Sequence, residues 1–276
     1  MSSINTNLLS INAQRNVASS AMSLSTSMQR LSSGLRVNSA KDDAAGLAIA
    51  ERMNAQVRGM NVAIRNANDA ISLAQTAEGA IGKIGDSLQR MRELAVQAAN
   101  GTNNSGDRDN LQSEFAQLQG EITRIVSGTR FNDQTLLDGT NATFDFQVGP
   151  STNATDTITV TSSDLSATDT AIAALNINGA AGAAGAQAAM DAIDAAITTV
   201  TNARANYGGV QNRFDSVISS LQVGSENLTA ARSRIMDADY AVETSNLSRA
   251  QILQQAGTAM VAQANQAPNG VLALLR

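Results

Sequence analysis

The pattern that decides the fold lies near the N-terminus, where residues 17–35 read VASSAMSLSTSMQRLSSGL. The apolar side chains of this stretch, from Val17 to Leu35, follow one another at alternating steps of four and three residues. A second stretch, residues 250–267, reads AQILQQAGTAMVAQANQA and places small or apolar residues at the same two steps. This spacing is the a/d pattern of a coiled coil. It predicts two terminal helices that lie side by side, so the domain that they form is discontinuous in sequence.

Helical spacing also fills most of the chain between these two stretches. Apolar residues at three- and four-residue steps predict a long helix over 44–100, a shorter one over 107–127, and another from Ile193 to Ile235. The polar segment 100–106 separates the first two of these helices. Ser39 and Asp42 have the spacing of a capping box, which predicts that the long helix begins with them.

The middle of the chain has a different composition and predicts a small β-structure. Residues 131–203 contain no Lys or Arg. Segments 140–148 and 157–161 alternate polar and apolar residues, and a Gly-Pro-Ser turn at 149–151 lies between them. We therefore expect a β-hairpin near 140–162. The segment 179–185 is rich in glycine and alanine, and we interpret it as a flexible connection.

The composition favours a particular kind of helical protein. Hydrophobic residues make up 43% of the 276 residues, but many are alanine, and aromatic residues are only 3%. Side chains this small suit helices whose backbones approach closely along a thin contact. We predict a mainly α fold, an elongated antiparallel coiled coil or helical bundle formed by both chain ends. The expected domains are 1–42 with 233–276, and 43–232 with its hairpin near 140–162.

Several functions are excluded or disfavoured by composition. The chain has no His and no Cys, which removes imidazole bases, thiolate ligands and disulfides. No acid–base pair or nucleophile stands out, so we expect no enzyme, no catalytic residue, no cofactor and no metal. A net charge of −5 argues against nucleic acid as the main partner. No apolar run reaches the roughly 18–20 residues of a membrane span, so we expect no membrane insertion.

The first residues bear on localisation. Residues 1–7 read MSSINTN and lack the basic start and apolar core of a secretory signal. This is consistent with a cytoplasmic protein or with export by a route that reads no cleavable leader.

Several motifs resemble one known family. Residues 3–7 read SINTN, residues 31–46 read LSSGLRVNSAKDDAAG and residues 88–97 read LQRMRELAVQ. Towards the other end, residues 233–241 read SRIMDADYA and residues 272–276 read LALLR. In this order the segments resemble bacterial flagellin over roughly residues 1–140 and 190–276. Because few residues separate the two halves, the resemblance is to a short form with inner and outer core domains only.

The resemblance implies a function and a set of partners. It implies a structural subunit that polymerises into the flagellar filament for swimming motility, and that is exported unfolded to the outside of the cell. The implied partners are other copies of the chain, a flagellin export chaperone, the flagellar type III export apparatus, the hook-associated junction and cap proteins, and the host Toll-like receptor that senses flagellin. The hook–filament junction protein of the same family is an alternative, and the match of both termini favours the filament subunit.

An amphipathic protein that binds membrane surfaces is an alternative of another class. Such a helix usually carries a Lys-rich polar face and aromatic anchors. The terminal stretches have neither, so we rank this interpretation below the filament subunit.

The terminal helices supply the first set of candidate contacts. From spacing alone, their apolar residues could form an ordinary bundle core or a surface shared with neighbouring copies. A helix pair with so few large side chains is marginal by itself, so the second interpretation is favoured. The predicted terminal assembly seam consists of Val17, Leu24, Met28, Leu31, Leu35, Leu253, Met260, Ala264 and Leu274.

The last helix supplies a second set. An unpaired amphipathic helix exposes apolar side chains, and a groove on a chaperone could cover them. The expected chaperone-binding residues are Ile252, Leu253, Met260, Val261, Leu272 and Leu275.

The third set follows from the resemblance, which implies an interface for the receptor and for neighbouring subunits at Leu88, Gln89, Arg90, Leu94 and Glu114. Without the resemblance, Leu88 would pack in a helix seam and the charged residues would form a solvated face. Arg90 and Leu94 lie four residues apart, so we expect them to project from one stripe of a helix. Glu114, on the following antiparallel helix, would lie beside them.

Overall fold

The computed structural model describes residues 6–273 of the chain, with side chains as far as residue 266. Most of this part is helical, which confirms the predicted mainly α class. Its helices are α1 (Leu8–Ser33), α2 (Ala44–Ala99), α3 (Ser105–Gly128), α4 (Ser166–Ala173), α5 (Gly182–Met236) and α6 (Tyr240–Ala273). The short α4 was not predicted.

Strand β3 (Thr143–Gln147) pairs antiparallel with β4 (Thr157–Thr161), which confirms the predicted hairpin near 140–162. Alternate residues face the interior, as the period of a strand requires. Ile158 and Val160 are buried, and Phe146 meets Phe214 of α5 edge to face, with ring centroids 5.7 Å apart. The hairpin is therefore attached to the helices by its apolar face.

A smaller antiparallel hairpin precedes it and was not predicted. Its strands are β1 (Arg130–Phe131) and β2 (Gln134–Thr135). Asn132 and Asp133 in the turn both have positive φ, 48° and 63°. Two-residue hairpin turns of type I′ require positive φ at both positions, and Asn and Asp adopt it more readily than most residues.

The described residues divide into two compact units, to which α2 and α5 both contribute. One unit contains the residues up to Ala55 together with those from Glu226 onward, and the other is Gln56–Ser225. The domain boundaries expected from sequence, 42/43 and 232/233, differ from these limits. They lie close to the ends of helices, at the break between α1 and α2 and at the break between α5 and α6.

The unit Gln56–Ser225 has a continuous apolar core. Its largest fully buried side chains come from α2, α3 and α5, and the two hairpins and α4 add others. Ile84, Leu88 and Met91 follow the helical spacing of α2, while Phe115 and Phe214 fill the space between helices. The periodicity read from the sequence therefore marks the buried face of α2 correctly.

In the other unit, α1 and α6 pack against each other as predicted. Their contact is narrow, because its buried positions are small or polar: Ser10 and Ser27 of α1, and Glu243 and Ala250 of α6. Helix α1 ends at Gly34, which adopts φ +71° and donates its N–H to the Arg30 carbonyl. Glycine is favoured at such a left-handed C-terminal position.

The residues that follow α1 contact the end of α5. Arg36 donates its backbone N–H to the Met236 carbonyl at 2.6 Å and its guanidinium to the Ile235 carbonyl at 2.7 Å. Leu35 bridges Asp237 in an antiparallel arrangement and packs near a small cluster that includes Met236. The prediction that Leu35 belongs to the helical seam is thus wrong, because Gly34 has already ended the helix.

The predicted start of α2 also needs correction. Asp42 does not cap the helix; its Oδ2 accepts hydrogen bonds from the backbone N–H groups of Asn38 and Ser39 and from the Ser39 hydroxyl. These bonds close a turn and hold the pKa of Asp42 below its usual value. The cap is Asp43, whose Oδ1 accepts from the N–H of Gly46 at 2.7 Å.

The glycine-rich segment 179–185 is only partly a connection. Helix α5 begins within it, at Gly182, which has φ +64°. Alanine has the highest helix propensity, and the alanines that follow Gly182 outweigh the cost of Gly185 in the first turn. The interpretation of the whole segment as a flexible connection is therefore wrong.

Candidate assembly surfaces

The paired terminal helices bury only part of the predicted assembly seam. Val17, Leu24, Leu31 and Ala264 are half-buried. Three others are exposed: Met28 (57%), Leu253 (51%) and Met260 (61%). The seam residue Leu274 lies outside the described residues. One helix covers only one side of its neighbour, so a two-helix pair leaves the remaining apolar positions in contact with water.

Polar contacts fix the register of α1 on α6. The Asn7 side chain donates to the Ala264 carbonyl at 2.6 Å, and the Ser10 hydroxyl donates to Asn265 Oδ1 at 2.7 Å. Towards the other end of the pair, Arg30 and Glu243 form an ion pair at 3.9 Å. Sequence spacing does not identify these residues, because the heptad pattern consists of apolar side chains and these are polar.

The Arg30–Glu243 pair is incompletely satisfied within the described chain. Glu243 is only 6% exposed, and Arg30 Nε is buried without a hydrogen-bond partner among the described residues. Buried polar groups are normally paired, since an unpaired one costs about 1–3 kcal/mol. The pair lines a groove of about 650 Å³ between α1 and α6, together with Arg249, Thr26 and several Ser side chains.

A second, more apolar groove of about 350 Å³ lies further along the same helix pair. Leu9 and Val17 of α1 and Leu253 and Met260 of α6 contribute to its walls. Large exposed apolar side chains occur along both helices: Leu8, Leu9, Ile11 and Met22 on α1, and Tyr240, Val242 and Ile252 on α6. Large exposed apolar patches are uncommon on proteins that stay monomeric.

The expected chaperone-binding residues fall partly in this exposed set. Ile252, Leu253 and Met260 are exposed, and Val261 is half-buried. The side chain of Leu272 and the whole of Leu275 lie outside the described residues.

The expected interface consists of Leu88, Gln89, Arg90 and Leu94 of α2 and Glu114 of α3, and only some of these residues reach the surface. Leu88 and Leu94 are 0% and 1% exposed and belong to the core, so the expectation that Leu94 projects beside Arg90 is wrong. Residues four apart on a helix are displaced by about 40° around its axis, and this rotation carries Leu94 inward. Gln89, Arg90 and Glu114 are exposed.

Arg90 connects two helices through its guanidinium. It contacts Glu93 on its own helix at 2.8 Å and Glu114 of α3 at 2.9 Å, and these two hydrogen bonds raise its pKa. The predicted proximity of Arg90 and Glu114 is confirmed. The exposed part of this set is therefore a polar cluster without an apolar centre.

A further interhelical ion pair has no signal in the sequence. Arg92 of α2 holds Asp194 of α5 through two hydrogen bonds, Nε to Oδ1 at 2.6 Å and Nη2 to Oδ2 at 3.2 Å. Hydrogen bonding to Arg92 lowers the pKa of Asp194. The residues are 102 positions apart, so no local spacing could reveal the pair.

The described residues contain no group of three or more carboxylates suited to a metal ion. None of the helices in that part of the chain is apolar enough over a sufficient length to cross a membrane.

Comparison with known proteins identifies the family of the chain. Residues 4–142 match the bacterial flagellin N-terminal helical region, and residues 190–275 match the bacterial flagellin C-terminal helical region. The chain is 50% identical to the flagellin of Halalkalibacterium halodurans over 273 residues, which cover 99% of both chains. It is 43% identical to the flagellin of Bacillus subtilis over 304 aligned positions, again with 99% of both covered.

A solved structure agrees with these matches. The crystal structure of Bacillus cereus flagellin is 34% identical, has a TM-score of 0.50, and covers 61% of this chain and 94% of its own. The relatives that match this chain over its full length are flagellins, so the junction-protein alternative is not favoured. The family consists of structural proteins that form the extracellular filament. The chain belongs to the bacterial flagellin family and is a subunit of the flagellar filament.

Proposed function

We propose that this filament subunit assembles through the paired helices α1 and α6, whose uncovered apolar side chains pack against the same helices of neighbouring copies. The observation that supports this is the exposure of Met28, Leu253 and Met260, seam residues that the single helix pair leaves in water. Burial of apolar surface contributes about 25 cal/mol per Å², so repeated contacts between copies stabilise helices that are weak alone. In this proposal the inner-core domain is 1–42 with 233–276, and the outer-core domain is 43–232.

An exposed apolar residue on α6 provides the test. Ile252 and Gln255 are both exposed on this helix, so the variants Ile252→Asp and Gln255→Asp introduce the same charge at comparable positions. Salt-induced polymerisation is followed by light scattering, and negative-stain microscopy identifies filaments. Ile252→Asp should prevent filament formation, whereas Gln255→Asp should polymerise like the unaltered chain. Equal polymerisation by both variants would contradict the proposal.

Export is the second part of the proposal. Before assembly the exposed face of α6 is an aggregation hazard, and a flagellin export chaperone covers it at Ile252, Leu253, Met260, Val261, Leu272 and Leu275. The chain then passes unfolded through the flagellar type III export apparatus and joins a filament bounded by hook-associated junction and cap proteins. Titration calorimetry with the chaperone tests the site: removal of residues 247–276 should abolish binding, and unchanged affinity would place the site elsewhere.

Recognition by the host Toll-like receptor that senses flagellin rests on the exposed cluster of Gln89, Arg90 and Glu114. In this proposal Leu88 and Leu94 support the cluster from the core and make no contact with the receptor. Arg side chains are common energetic centres of protein interfaces. The same cluster is proposed to contact neighbouring subunits in the filament.

A further inference from the structure

Two Asn-Gly dipeptides lie in the part of the chain whose side chains are described, and their surroundings differ. Asn100–Gly101 follows α2, and Asn178–Gly179 precedes α5. We propose that Asn100 is a site of spontaneous deamidation in the folded chain, and that the fold protects Asn178 from the same reaction.

The reaction needs only water and a base from the solvent. The backbone nitrogen of the glycine loses its proton to that base and forms a bond to Cγ of the preceding asparagine. The bond from Cγ to the side-chain nitrogen breaks, and ammonia leaves after taking up a proton. Water then opens the resulting five-membered imide, which gives aspartate or isoaspartate with one new negative charge. Glycine favours the reaction because it has no β-carbon to shield its nitrogen or to restrict rotation of the backbone.

The surroundings of Asn100 favour this attack. The residue is exposed, and a β-carbon placed on Gly101 would find nothing within 4 Å. The Asn100 Oδ1 accepts a hydrogen bond from the N–H of Thr102 at 3.3 Å, so the side chain turns back along the backbone that contains Gly101. The same N–H lies where negative charge develops on Oδ1 during attack, and a donor in that place stabilises the transition state.

The surroundings of Asn178 oppose the attack at each of these points. The N–H of Gly179 donates to Asp109 Oδ1 at 2.9 Å, and Asn178 Oδ1 accepts from the N–H of Ala181 at 2.9 Å. A β-carbon on Gly179 would lie 2.7 Å from the β-carbon of Ser105 and 2.9 Å from its carbonyl oxygen. The Gly179 nitrogen is therefore engaged by Asp109, the Asn178 side chain is held by Ala181, and the Gly179 backbone packs closely against Ser105.

The folded chain accommodates the new charge at position 100. A negative charge near the C-terminal end of a helix is unfavourable by itself. Arg108 offsets it, because its guanidinium already donates to the carbonyls of Ala98 at 2.9 Å and Asn100 at 3.2 Å. The product is expected to be a folded chain that is more acidic by one charge.

Peptide mapping of the full-length dissociated chain tests the proposal. The chain is incubated at mildly alkaline pH and cleaved with trypsin, which releases Asn100 in the peptide 93–108 and Asn178 in the peptide 131–204. Fragment ions that carry the mass change from amide to acid identify the site. Conversion at Asn100 should be at least about tenfold faster than at Asn178, the factor that corresponds to a barrier difference of about 1.4 kcal/mol.

Three controls make the comparison specific to the fold. In urea, where the folded surroundings are lost, the two sites should convert at similar rates. Gly101→Ala should slow conversion at Asn100 and leave the chain folded, because the site is open. Asp109→Ala should accelerate conversion at Asn178, because it frees the Gly179 nitrogen. The proposal would be overturned if the two sites reacted at equal rates in the folded chain. It would also be overturned if Asn100 stayed unmodified in the folded chain while it reacted in the urea-unfolded chain.

Discussion

A β-carbon on Gly257 of α6 would lie 2.6 Å from Cγ2 of Val17 on α1. Carbon atoms that are not bonded prefer separations of about 3.5–4.0 Å. The absence of a side chain at position 257 therefore sets how closely the two terminal helices approach. Val17 is β-branched and has little freedom to rotate away from an added methyl group.

Gly257→Ala should weaken the α1–α6 pair and impair filament assembly. In an exposed helix the same change would raise helix stability by about 1 kcal/mol, so a loss would point to the contact with Val17. The double variant Val17→Ala with Gly257→Ala removes the clash and should restore polymerisation above the level of Gly257→Ala alone. Light scattering during salt-induced assembly measures the three variants. Failure of the second substitution to rescue the first would show that the close approach is unimportant.

Leu94→Ala and Arg90→Ala should separate stability from recognition. Leu94 is buried, and Leu→Ala changes in protein cores lower the free energy of unfolding by about 2–5 kcal/mol. The denaturant midpoint of the Leu94→Ala variant should therefore fall markedly. Arg90 is half exposed, and its removal should leave the denaturant midpoint nearly unchanged while it weakens receptor signalling. Reporter cells carrying the receptor, dosed with folded dissociated chain, provide the second measurement. Full signalling by a folded Arg90→Ala chain would remove Arg90 from the receptor site.

Asp194→Asn should lower thermal stability at neutral pH by breaking the pair with Arg92. The hydrogen bond from Arg92 lowers the pKa of Asp194, so the charged form stabilises the folded chain above the ordinary aspartate value of 3.8. This contribution is lost as the pH falls through the lower, folded pKa. The difference in melting temperature between Asp194→Asn and the unaltered chain should therefore shrink in acid.

Glu121→Gln is the control for that measurement. Glu121 also has a pKa lowered by an arginine, Arg124, but this partner lies on the same helix three residues away. Exposed pairs within one helix contribute little to stability. Calorimetric melting temperatures of the two variants should differ at neutral pH. A pH-independent effect of Asp194→Asn would attribute it to packing instead of charge.

The parts of this fold that are recoverable from sequence depend on long repeated spacing. The heptad steps identified α1, α2, α5 and α6 and the buried face around Leu88, because each turn of a long helix repeats the same signal. Strands β1 and β2 have two residues each, too few to establish alternation, and α4 is too short to show helical spacing. Such elements depend on the surrounding core more than on local pattern.

The candidate surfaces were harder to predict than the helices. The sequence indicates the exposure of Leu8, Leu9 and Ile11, because this turn of α1 carries more apolar side chains than a single seam can bury. The pair of Arg92 and Asp194 joins distant positions, so only the tertiary structure reveals it. Resemblance supplied the position of Leu94 but not the direction of its side chain, which the structure turns into the core beside Leu88.

Amide hydrogen exchange over α1 and α6 tests the central proposal most directly. If neighbouring copies stabilise these helices, amides of Leu8–Ser33 and Tyr240–Ala273 should exchange rapidly in the dissociated chain and slowly in the filament, while the core around Phe115 is protected in both. Mass spectrometry of matched dissociated and polymerised samples gives the comparison. Equal, strong protection of both terminal helices in the dilute dissociated chain would contradict the proposal.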